Sequence, residues 1–241
     1  MMKLNHLSVI YPDKTIAVDK IDFTLQSEET VALIGANGAG KTSLLLSLVG
    51  VIPSVGEIII DGVLLDKHSL KEIRRKVGVV FQNPDNQLFM PTLYDDVAFG
   101  LRNYGVPEHA IEAKVDYYLS ELDIMHLKNK SPLKLSGGEK RIAAIATILA
   151  MEPSIMLFDE PTAFLDPKAR RNLINLLNKL PHAKLIASHD LAFVAEVCDR
   201  ALILKKGIIV ADGAPSDLIY NKKLMDDCGI EAIPFPMKEE N

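Results

Sequence analysis

The feature that most constrains the fold of this chain is a glycine-rich segment between an apolar run and a helical pattern. It reads G-x-x-x-x-G-K-T and consists of Gly35, Ala36, Asn37, Gly38, Ala39, Gly40, Lys41 and Thr42. Residues 31–34 form the apolar run, and Ser43 begins the helical pattern. A buried strand, a tight turn and a helix in this order predict a loop that holds phosphates against backbone N–H groups. The alternative is a glycine-rich turn with no ligand.

The lysine and threonine of this segment predict a nucleotide as the ligand. In a phosphate loop of this kind, Lys41 reaches the β- and γ-phosphates and the Thr42 hydroxyl ligates Mg²⁺. We therefore expect residues 35–43 to bind ATP together with Mg²⁺.

Length, charge and cysteine content limit the remaining possibilities. A chain of 241 residues with 48% hydrophobic content can bury a large core, and we expect one domain over residues 1–241. A net charge of −5 argues against a nucleic-acid partner. The two cysteines, Cys198 and Cys228, form no C-x-x-C motif and favour a reducing cytosol. Since no apolar run is long enough to span a bilayer, we expect the chain to be soluble by itself.

The apolar patterns predict an α/β fold with two kinds of strand. Alternation over residues 21–25, and the run 56–60 before Asp61-Gly62, predict antiparallel strands. Short continuous apolar runs predict parallel strands buried on both faces, at 77–81, 155–158 and 184–187.

A long insertion separates two of these predicted strands. Apolar residues recur at helical spacing over 111–122, and Pro107 can open that helix. The sequence therefore predicts a mostly helical subdomain inserted at about residues 83–150.

A second glycine motif ends the insertion. Its residues are Leu135, Ser136, Gly137, Gly138 and Glu139, and a helical run follows. A small hydroxyl residue and two glycines at a helix N-terminus predict a second anion site, without a lysine. Because one chain holds two such surfaces far apart, we predict that they meet between two chains. An ordinary serine cap with a glycine turn is the alternative.

Together these motifs resemble the ATPase domain of ATP-binding cassette (ABC) proteins, over nearly the whole chain and in the family's order. The resemblance implies a P-loop NTPase fold with a mainly parallel central sheet, an N-terminal antiparallel β-subdomain and a helical subdomain that carries the signature motif. It also implies an ATPase that works as a homodimer or as a heterodimer with a related ATPase. Two chains would enclose two ATP molecules, each between one phosphate loop and the opposing signature residues, which are Leu135, Ser136, Gly137, Gly138 and Glu139.

The resemblance also implies roles for single residues. Asp159 would hold Mg²⁺ through water, and Glu160 would polarise the attacking water. Gln82 would approach Mg²⁺ and transmit nucleotide state to the partner, and His189 would lie near the γ-phosphate. Each could instead be an ordinary loop residue, but all four follow predicted strands, where ligands of α/β sheets collect.

Two further positions match less closely. Tyr11 stands where ABC ATPases often stack an aromatic ring on adenine, although ordinary packing on an edge strand is an alternative. Residues 163–166 match the D-loop, whose Asp166 would bridge the two halves of a dimer. The family's common serine is replaced by Ala163, and Phe164 is bulkier than the usual residue.

Residues 81–89 and 95–100 carry a narrower resemblance, to the ATPases of energy-coupling factor (ECF) importers, particularly the cobalt and nickel type. It implies a peripheral protein on the cytoplasmic face of the cell membrane that drives uptake of a metal ion, cobalt or nickel, or of a vitamin. Its partners would be a transmembrane coupling subunit and a membrane subunit that captures the substrate. The alternatives are a soluble ABC ATPase outside transport, an ATPase of another transporter class and a small-molecule kinase.

The segment after Gln82 is the candidate docking surface for the membrane partner. It contains three carboxylates, Asp85, Asp95 and Asp96, among apolar residues that we expect to be exposed, Leu88, Phe89 and Leu93. Such a mixture suits a groove that grips a partner helix. For Asp95 and Asp96, a capped and solvated helix start is an equal alternative.

Overall fold

Two β-sheets organise the chain, and the computed structural model describes residues 1–233. The strands are β1 (Met2–Ile10), β2 (Ile16–Leu25), β3 (Thr30–Ile34), β4 (Val55–Ile60), β5 (Val63–Leu64), β6 (Val77–Val80), β7 (Ile155–Asp159), β8 (Ala183–Ala187), β9 (Arg200–Lys205) and β10 (Ile208–Gly213). The helices are α1 (Lys41–Ser47), α2 (Leu70–Lys76), α3 (Leu93–Asn103), α4 (Glu108–Glu121), α5 (Gly137–Leu149), α6 (Pro167–Lys179), α7 (Leu191–Val197), α8 (Pro215–Leu218) and α9 (Lys222–Asp227).

The smaller sheet is antiparallel and has the strand order β2-β1-β4-β5. In β2 the alternating residues Ile21, Phe23 and Leu25 are buried, as the sequence predicts. Asp61 and Gly62 connect β4 to β5 with φ angles of 46° and 78°. Two positive φ angles in a two-residue connection suit the right-handed twist of a hairpin, so the predicted tight turn is confirmed.

The larger sheet has the order β10-β9-β3-β8-β7-β6, and only its edge strand β10 runs antiparallel to its neighbour. Every residue of β3, β7 and β8 is buried, which confirms the predicted parallel strands. Alternate residues of β3 enter different cores: Val31 and Leu33 pack on one face, and Ala32 and Ile34 on the other. The fold class is therefore α/β, with the predicted mainly parallel central sheet and antiparallel sheet.

Helices α3, α4 and α5 enclose a third apolar cluster. In α4 the stripe Ile111, Val115 and Leu119 is fully buried against residues of α3 and α5. Pro107 lies immediately before the first residue of α4, where its fixed φ and missing N–H are tolerated. Over residues 1–233, no helix combines the length and the apolar character that crossing a membrane requires.

Parallel pairing determines where the strand ends lie. Asp159 at the end of β7 pairs with Ala187 at the end of β8, and β3 pairs with β8 in the same direction. The chain segments that follow β3, β6, β7 and β8 therefore emerge at one edge of the sheet.

The segment after β6 differs from the exposed surface that the sequence suggests. Leu88 and Leu93 are buried in the cluster of α3, α4 and α5, and only Phe89 is exposed. Asp96 is buried too, and its Oδ1 accepts hydrogen bonds of 3.0 Å from the backbone N–H groups of Phe89 and Met90. The expectation of exposure is thus wrong for these two leucines. Asp96, a predicted docking carboxylate, holds the backbone of the preceding loop and does not face solvent.

The other two carboxylates of this segment have different environments. Asp95 lies in the first turn of α3 and accepts a 2.6 Å hydrogen bond from the Thr92 hydroxyl, while its backbone N–H donates to that hydroxyl oxygen. Asp85 remains exposed and pairs with Lys140 at 2.6 Å. Thr92 therefore caps α3. The cap of the capped and solvated helix start considered for Asp95 and Asp96 is present, but Asp96 is buried and not solvated.

Candidate nucleotide-binding site

Residues from distant parts of the sequence line one cavity of about 490 Å³ at the strand ends. The predicted site residues among them are Tyr11, Asn37, Gly38, Ala39, Gly40, Lys41, Thr42, Ser43, Gln82, Asp159, Glu160 and His189. Gly35 and Ala36 line a neighbouring cavity of about 590 Å³, to which Asn37 and His189 also contribute.

The glycine-rich loop needs glycine for steric reasons. Gly40 has a φ of 107°, and a Cβ atom at this position would collide with the carbonyl oxygen of Ala17. Lys41 follows as the first residue of α1, and its Nζ donates hydrogen bonds of 2.6 and 3.3 Å to the carbonyl oxygens of Gly35 and Ala36. The buried ammonium group is therefore held over the loop by weak neutral partners, which an anion can replace.

Thr42 and Asp159 place two oxygen groups next to each other. The Thr42 hydroxyl donates a 2.8 Å hydrogen bond to Oδ2 of Asp159, the last residue of β7. Burial raises the pKa of the Asp159 carboxyl, while this hydrogen bond and the charge of Lys41 act in the opposite direction. Hydroxyl and carboxylate oxygens, with the Gln82 amide in the same cavity, are the ligands that Mg²⁺ prefers.

No denser metal site occurs in the described part of the chain, because residues 1–233 contain no group of three or more His, Cys, Asp or Glu side chains that could hold a metal ion. A site with one carboxylate still suits Mg²⁺, which usually takes one or two carboxylates and completes its shell with water and substrate phosphates.

Glu160 and His189 are in direct contact in the cavity. His189 Nδ1 lies 2.8 Å from Oε2 of Glu160, and the His189 backbone N–H donates to the same oxygen at 3.2 Å. The other oxygen, Oε1, lies 3.7 Å from Nζ of Lys41. Glu160 also has a φ of 45°, which is unusual for a residue with a side chain, and its N–H donates to the carbonyl oxygen of Ala187. Strain of this kind, held by surrounding contacts, is concentrated at functional sites.

Tyr11 lies at the side of the cavity, and its hydroxyl is 2.9 Å from Oγ of Ser43 in the first turn of α1. This hydrogen bond fixes the ring relative to the phosphate loop.

The second glycine motif has a different geometry. Ser136 is the N-cap of α5: its Oγ accepts a 3.3 Å hydrogen bond from the Glu139 backbone, and Glu139 Oε2 accepts one of 2.7 Å from the Ser136 N–H. The hydrogen bonds that the Glu139 carboxylate accepts from the Ser136 N–H and the Ser136 hydroxyl lower the pKa of this carboxyl. The serine cap considered as an alternative is thus present, and it leaves an ordered helix start.

This motif lies outside the first cavity. Ser136, Gly138 and Glu139 line a second cavity of about 760 Å³, to which Asp166 also contributes. Leu135 and Gly137 border a smaller cavity next to Phe164. Among the residues that the structure describes, the first and second cavities share no lining side chain. One chain therefore does not bring the signature residues and the phosphate loop together.

The sequence interpretation missed Arg141. Its side chain is buried, and its two terminal nitrogens donate to the carbonyl oxygens of Phe81 and Gln82 at 2.6 and 2.7 Å. Burial lowers the pKa of this guanidinium to about 10. The signal available in the sequence was an arginine on the apolar face of α5, where Ile145 and Ile148 are also buried.

Comparisons with known proteins agree with this geometry. The sequence profile of the ABC transporter family matches residues 18–163, more than half of the chain. The energy-coupling factor transporter ATP-binding protein EcfA of Methanothermobacter thermautotrophicus is 44% identical over 231 residues, which cover 93% of this chain and 74% of that protein.

Two solved structures share the fold. CbiO1 from Clostridium perfringens, described as part of the ABC transporter complex CbiONQ, has a TM-score of 0.82 and 35% identity, with 94% of this chain and 93% of that chain covered. The ATP-binding cassette MJ0796, solved as a post-hydrolysis dimer bound to ADP and phosphate, has a TM-score of 0.79 and 27% identity, with coverages of 89% and 99%. With these similarities extending over nearly its full length, the chain belongs to the ATP-hydrolysing, ATP-binding proteins of ABC transporters, of the energy-coupling factor type.

Proposed function

We propose that this chain drives the uptake of a metal ion, cobalt or nickel, or of a vitamin by hydrolysing ATP in the first cavity. The observation that carries the proposal is the contact of Glu160 with both His189 and Lys41, beside the Thr42–Asp159 pair. CbiO1 is described as part of a transporter complex, and its similarity to the present chain supports a transport role for this chain as well.

In the proposed reaction, the backbone amides of residues 37–42 and the Lys41 ammonium bind the phosphates. Lys41 exchanges two carbonyl partners for phosphate oxygens, which accept stronger, charge-assisted hydrogen bonds. Glu160 orients a water molecule towards the γ-phosphorus and accepts its proton as the bond to ADP breaks, while His189 holds the glutamate and contacts the γ-phosphate. Tyr11 stacks on the adenine ring, and Ser43 fixes its hydroxyl.

Thr42, Asp159 and Gln82 would hold Mg²⁺ in this cavity. When bound, the cation would supply positive charge that neutralises phosphate oxygens. The oxygen donors and the burial of Asp159 fit such an ion.

We propose that the complete ATP site forms between two chains, as a homodimer or with a related ATPase. Ser136 caps α5, and Gly137 and Gly138 are its first two residues, at a helix N-terminus that suits an anion. These residues lie away from the phosphate loop of the same chain. Asp166 borders the same cavity as Ser136 and would contribute to the contact between chains. The dimer of MJ0796 with ADP and phosphate is a precedent.

We place the membrane partner at the exposed part of the segment after Gln82. Phe89 and Phe99 are exposed and form an edge-to-face pair with ring centroids 5.1 Å apart, and Asp85 lies in the same segment. Exposed aromatic rings beside carboxylates suit a helix with apolar anchors and a basic residue. Asp95 would contribute from the start of α3, whereas Asp96 would act indirectly by holding the loop that carries Phe89. This surface would attach the chain to a transmembrane coupling subunit, joined by a substrate-capture subunit, on the cytoplasmic face of the cell membrane.

The test of the transport role uses the tagged full-length chain in cells that lack the native copy. We expect membrane proteins to co-purify with it, and uptake of cobalt, nickel or a vitamin to require both the wild-type chain and Glu160. The matched docking variants are Phe89→Ala and Asp95→Ala, with the exposed Tyr117→Ala as the control. The docking variants should keep ATPase activity but lose co-purification and uptake. Normal uptake without the chain, or with Glu160→Gln, would contradict the transport role.

A further inference from the structure

A bidentate ion pair near the candidate site connects the first turn of α6 to the N-cap of α7. Arg170 Nε and Nη2 donate hydrogen bonds of 2.8 and 2.9 Å to the two carboxylate oxygens of Asp190. About three quarters of each side chain is removed from solvent. Paired parallel hydrogen bonds fix orientation as well as distance, so this contact holds the α6 and α7 ends in one arrangement.

At one end, this pair acts directly beside the histidine of the site. Asp190 Oδ1 also accepts the Phe193 N–H and caps α7, and the Asp190 N–H donates to the Oγ of buried Ser188. His189 lies between these two anchored residues, and its N–H and Nδ1 both contact Glu160. The position of the imidazole therefore depends on the backbone that Asp190 fixes.

At the other end, the pair is one helical turn from the second cavity. The Arg170 N–H donates to the carbonyl oxygen of Asp166 at 2.9 Å, and Asp166 caps α6 by accepting the Ala169 N–H. Asp166 lines the cavity of the signature residues. A change at that cavity can thus reach Asp190 through the first turn of α6.

We propose that Arg170 is a positioning residue that holds His189 against Glu160 and links the Asp166 loop to this contact. The inference rests on the proposed roles of Glu160 and His189 in hydrolysis. Within residues 1–233, Arg170 lines neither cavity, so it acts through Asp190 and not on the nucleotide.

The neighbouring residue provides a matched control. Arg171 pairs with Glu196, so it joins the same two helices by the same kind of ion pair. Arg170 Nη1 also lies 3.8 Å from Glu196 Oε1, so Glu196 contacts both arginines, whereas Asp190 pairs with Arg170. The Arg171–Glu196 pair does not include Asp190 or a residue next to His189. A general loosening of α6 against α7 would therefore follow from either arginine, whereas misplacement of His189 should follow only from Arg170.

The experiment compares Arg170→Ala, Arg170→Lys and Arg171→Ala in the full chain. We measure kcat and KM for ATP, and the ring nitrogen signals of His189 by NMR, assigned with His189→Ala. We expect Arg170→Ala to lower kcat about ten-fold with little change in KM, and to shift the His189 signals. Arg170→Lys should recover only part of kcat, because an ammonium group keeps the charge but cannot reproduce the two parallel hydrogen bonds of the planar guanidinium. Arg171→Ala should resemble the wild type in both readouts.

The positioning role is overturned if Arg170→Ala matches Arg171→Ala in kcat and in the His189 signals. If Arg170→Ala does not fold, Asp190→Asn decides the question, since asparagine can still cap α7 but lacks the charge that Arg170 grips. Unchanged kcat and His189 signals in Asp190→Asn would equally reject the proposal. His189→Ala separates the two levels: wild-type kcat in that variant would contradict the proposed role of His189, irrespective of what Arg170 does to the NMR signals.

Discussion

His189 and Glu160 form a contact between an exposed ring and a buried carboxylate. Nδ1 of the ring lies 2.8 Å from Oε2, although the His189 side chain is 67% exposed and that of Glu160 only 9%. Since Lys41 at the start of α1 lies near the other oxygen, residues from two separate segments of the chain orient one carboxylate. This arrangement leaves the glutamate side chain little freedom. Replacing its carboxylate is therefore the most direct test of the site.

Glu160→Gln should abolish turnover while ATP binding remains. Glutamine keeps the size and much of the hydrogen bonding, but it cannot accept a proton from water, and loss of a general base costs roughly 10²-fold or more in rate. Steady-state ATPase assays and equilibrium nucleotide binding check both parts. With ATP present, light scattering of this variant should show a dimer, and without ATP a monomer. Activity near the wild-type level would remove Glu160 from the catalytic role.

Lys41→Ala should weaken ATP binding itself. The variant loses a buried cation that is positioned over the phosphate loop, and a hydrogen bond to a charged group contributes about 1.5–3 kcal/mol. Isothermal titration with ATP should therefore show at least about a ten-fold loss in affinity. The exposed Lys67→Ala serves as the control and should bind as the wild type does. Equal affinities in the two variants would contradict the proposed contact.

Phe164→Gly should stabilise the isolated chain. Phe164 has a φ of 63° and its side chain is 85% exposed, so the folded chain bears a steric cost and gains little burial. Glycine removes that cost, which is about 1–2 kcal/mol, although its greater freedom in the unfolded chain offsets part of the gain. Urea denaturation measures the change. Phe164→Ala keeps the Cβ atom and should not share the gain, so equal stabilities of the two variants would refute the explanation by strain.

Arg141→Met should destabilise the chain by about 2–4 kcal/mol, because the carbonyl oxygens of Phe81 and Gln82 each lose a charged donor. Methionine keeps most of the apolar stem, which isolates the hydrogen bonds from cavity effects. The free energy of unfolding in urea is the measurement. In the control Lys140→Met, only the ion pair with Asp85 is lost, and we expect about 1 kcal/mol or less. A similar small change in Arg141→Met would contradict the structural importance of these contacts.

Asp190→Asn should affect stability in a pH-dependent way. Burial alone would raise the pKa of Asp190, but hydrogen bonds from Arg170 and from the Phe193 N–H outweigh it and lower the pKa below 3.8. An acid with a depressed folded-state pKa stabilises the fold above its unfolded-state pKa, and this contribution is lost as the pH falls through the folded-state value. The wild type should therefore melt above the variant at about pH 6, and the difference should shrink by about pH 3. A difference in melting temperature between wild type and variant that is the same at both pH values would contradict this linkage.

The sequence predicted those parts of the molecule that depend on local patterns. The phosphate loop follows from glycine spacing, and the strands around it follow from short apolar runs. The burial of Leu88 and Leu93 could not be predicted, because it depends on how one loop packs against three helices. It also depends on the hydrogen bond that Asp96 accepts from the Phe89 N–H in that loop. The Arg170–Asp190 pair joins residues 20 positions apart on different helices, so no periodic pattern indicates it.

The in-register pairing of Asp159 with Ala187 has a consequence for how this protein tolerates insertions. His189 follows Ala187 by two residues, so the register between β7 and β8 determines where the histidine lies relative to Glu160. One residue inserted within β8 would shift this register, and neighbouring side chains of a strand point to opposite faces. The same insertion in the turn before Ala183 would leave the register of β7 and β8 unchanged. A one-residue insertion before β8 should thus leave ATP hydrolysis intact, whereas a one-residue insertion within β8 should abolish it.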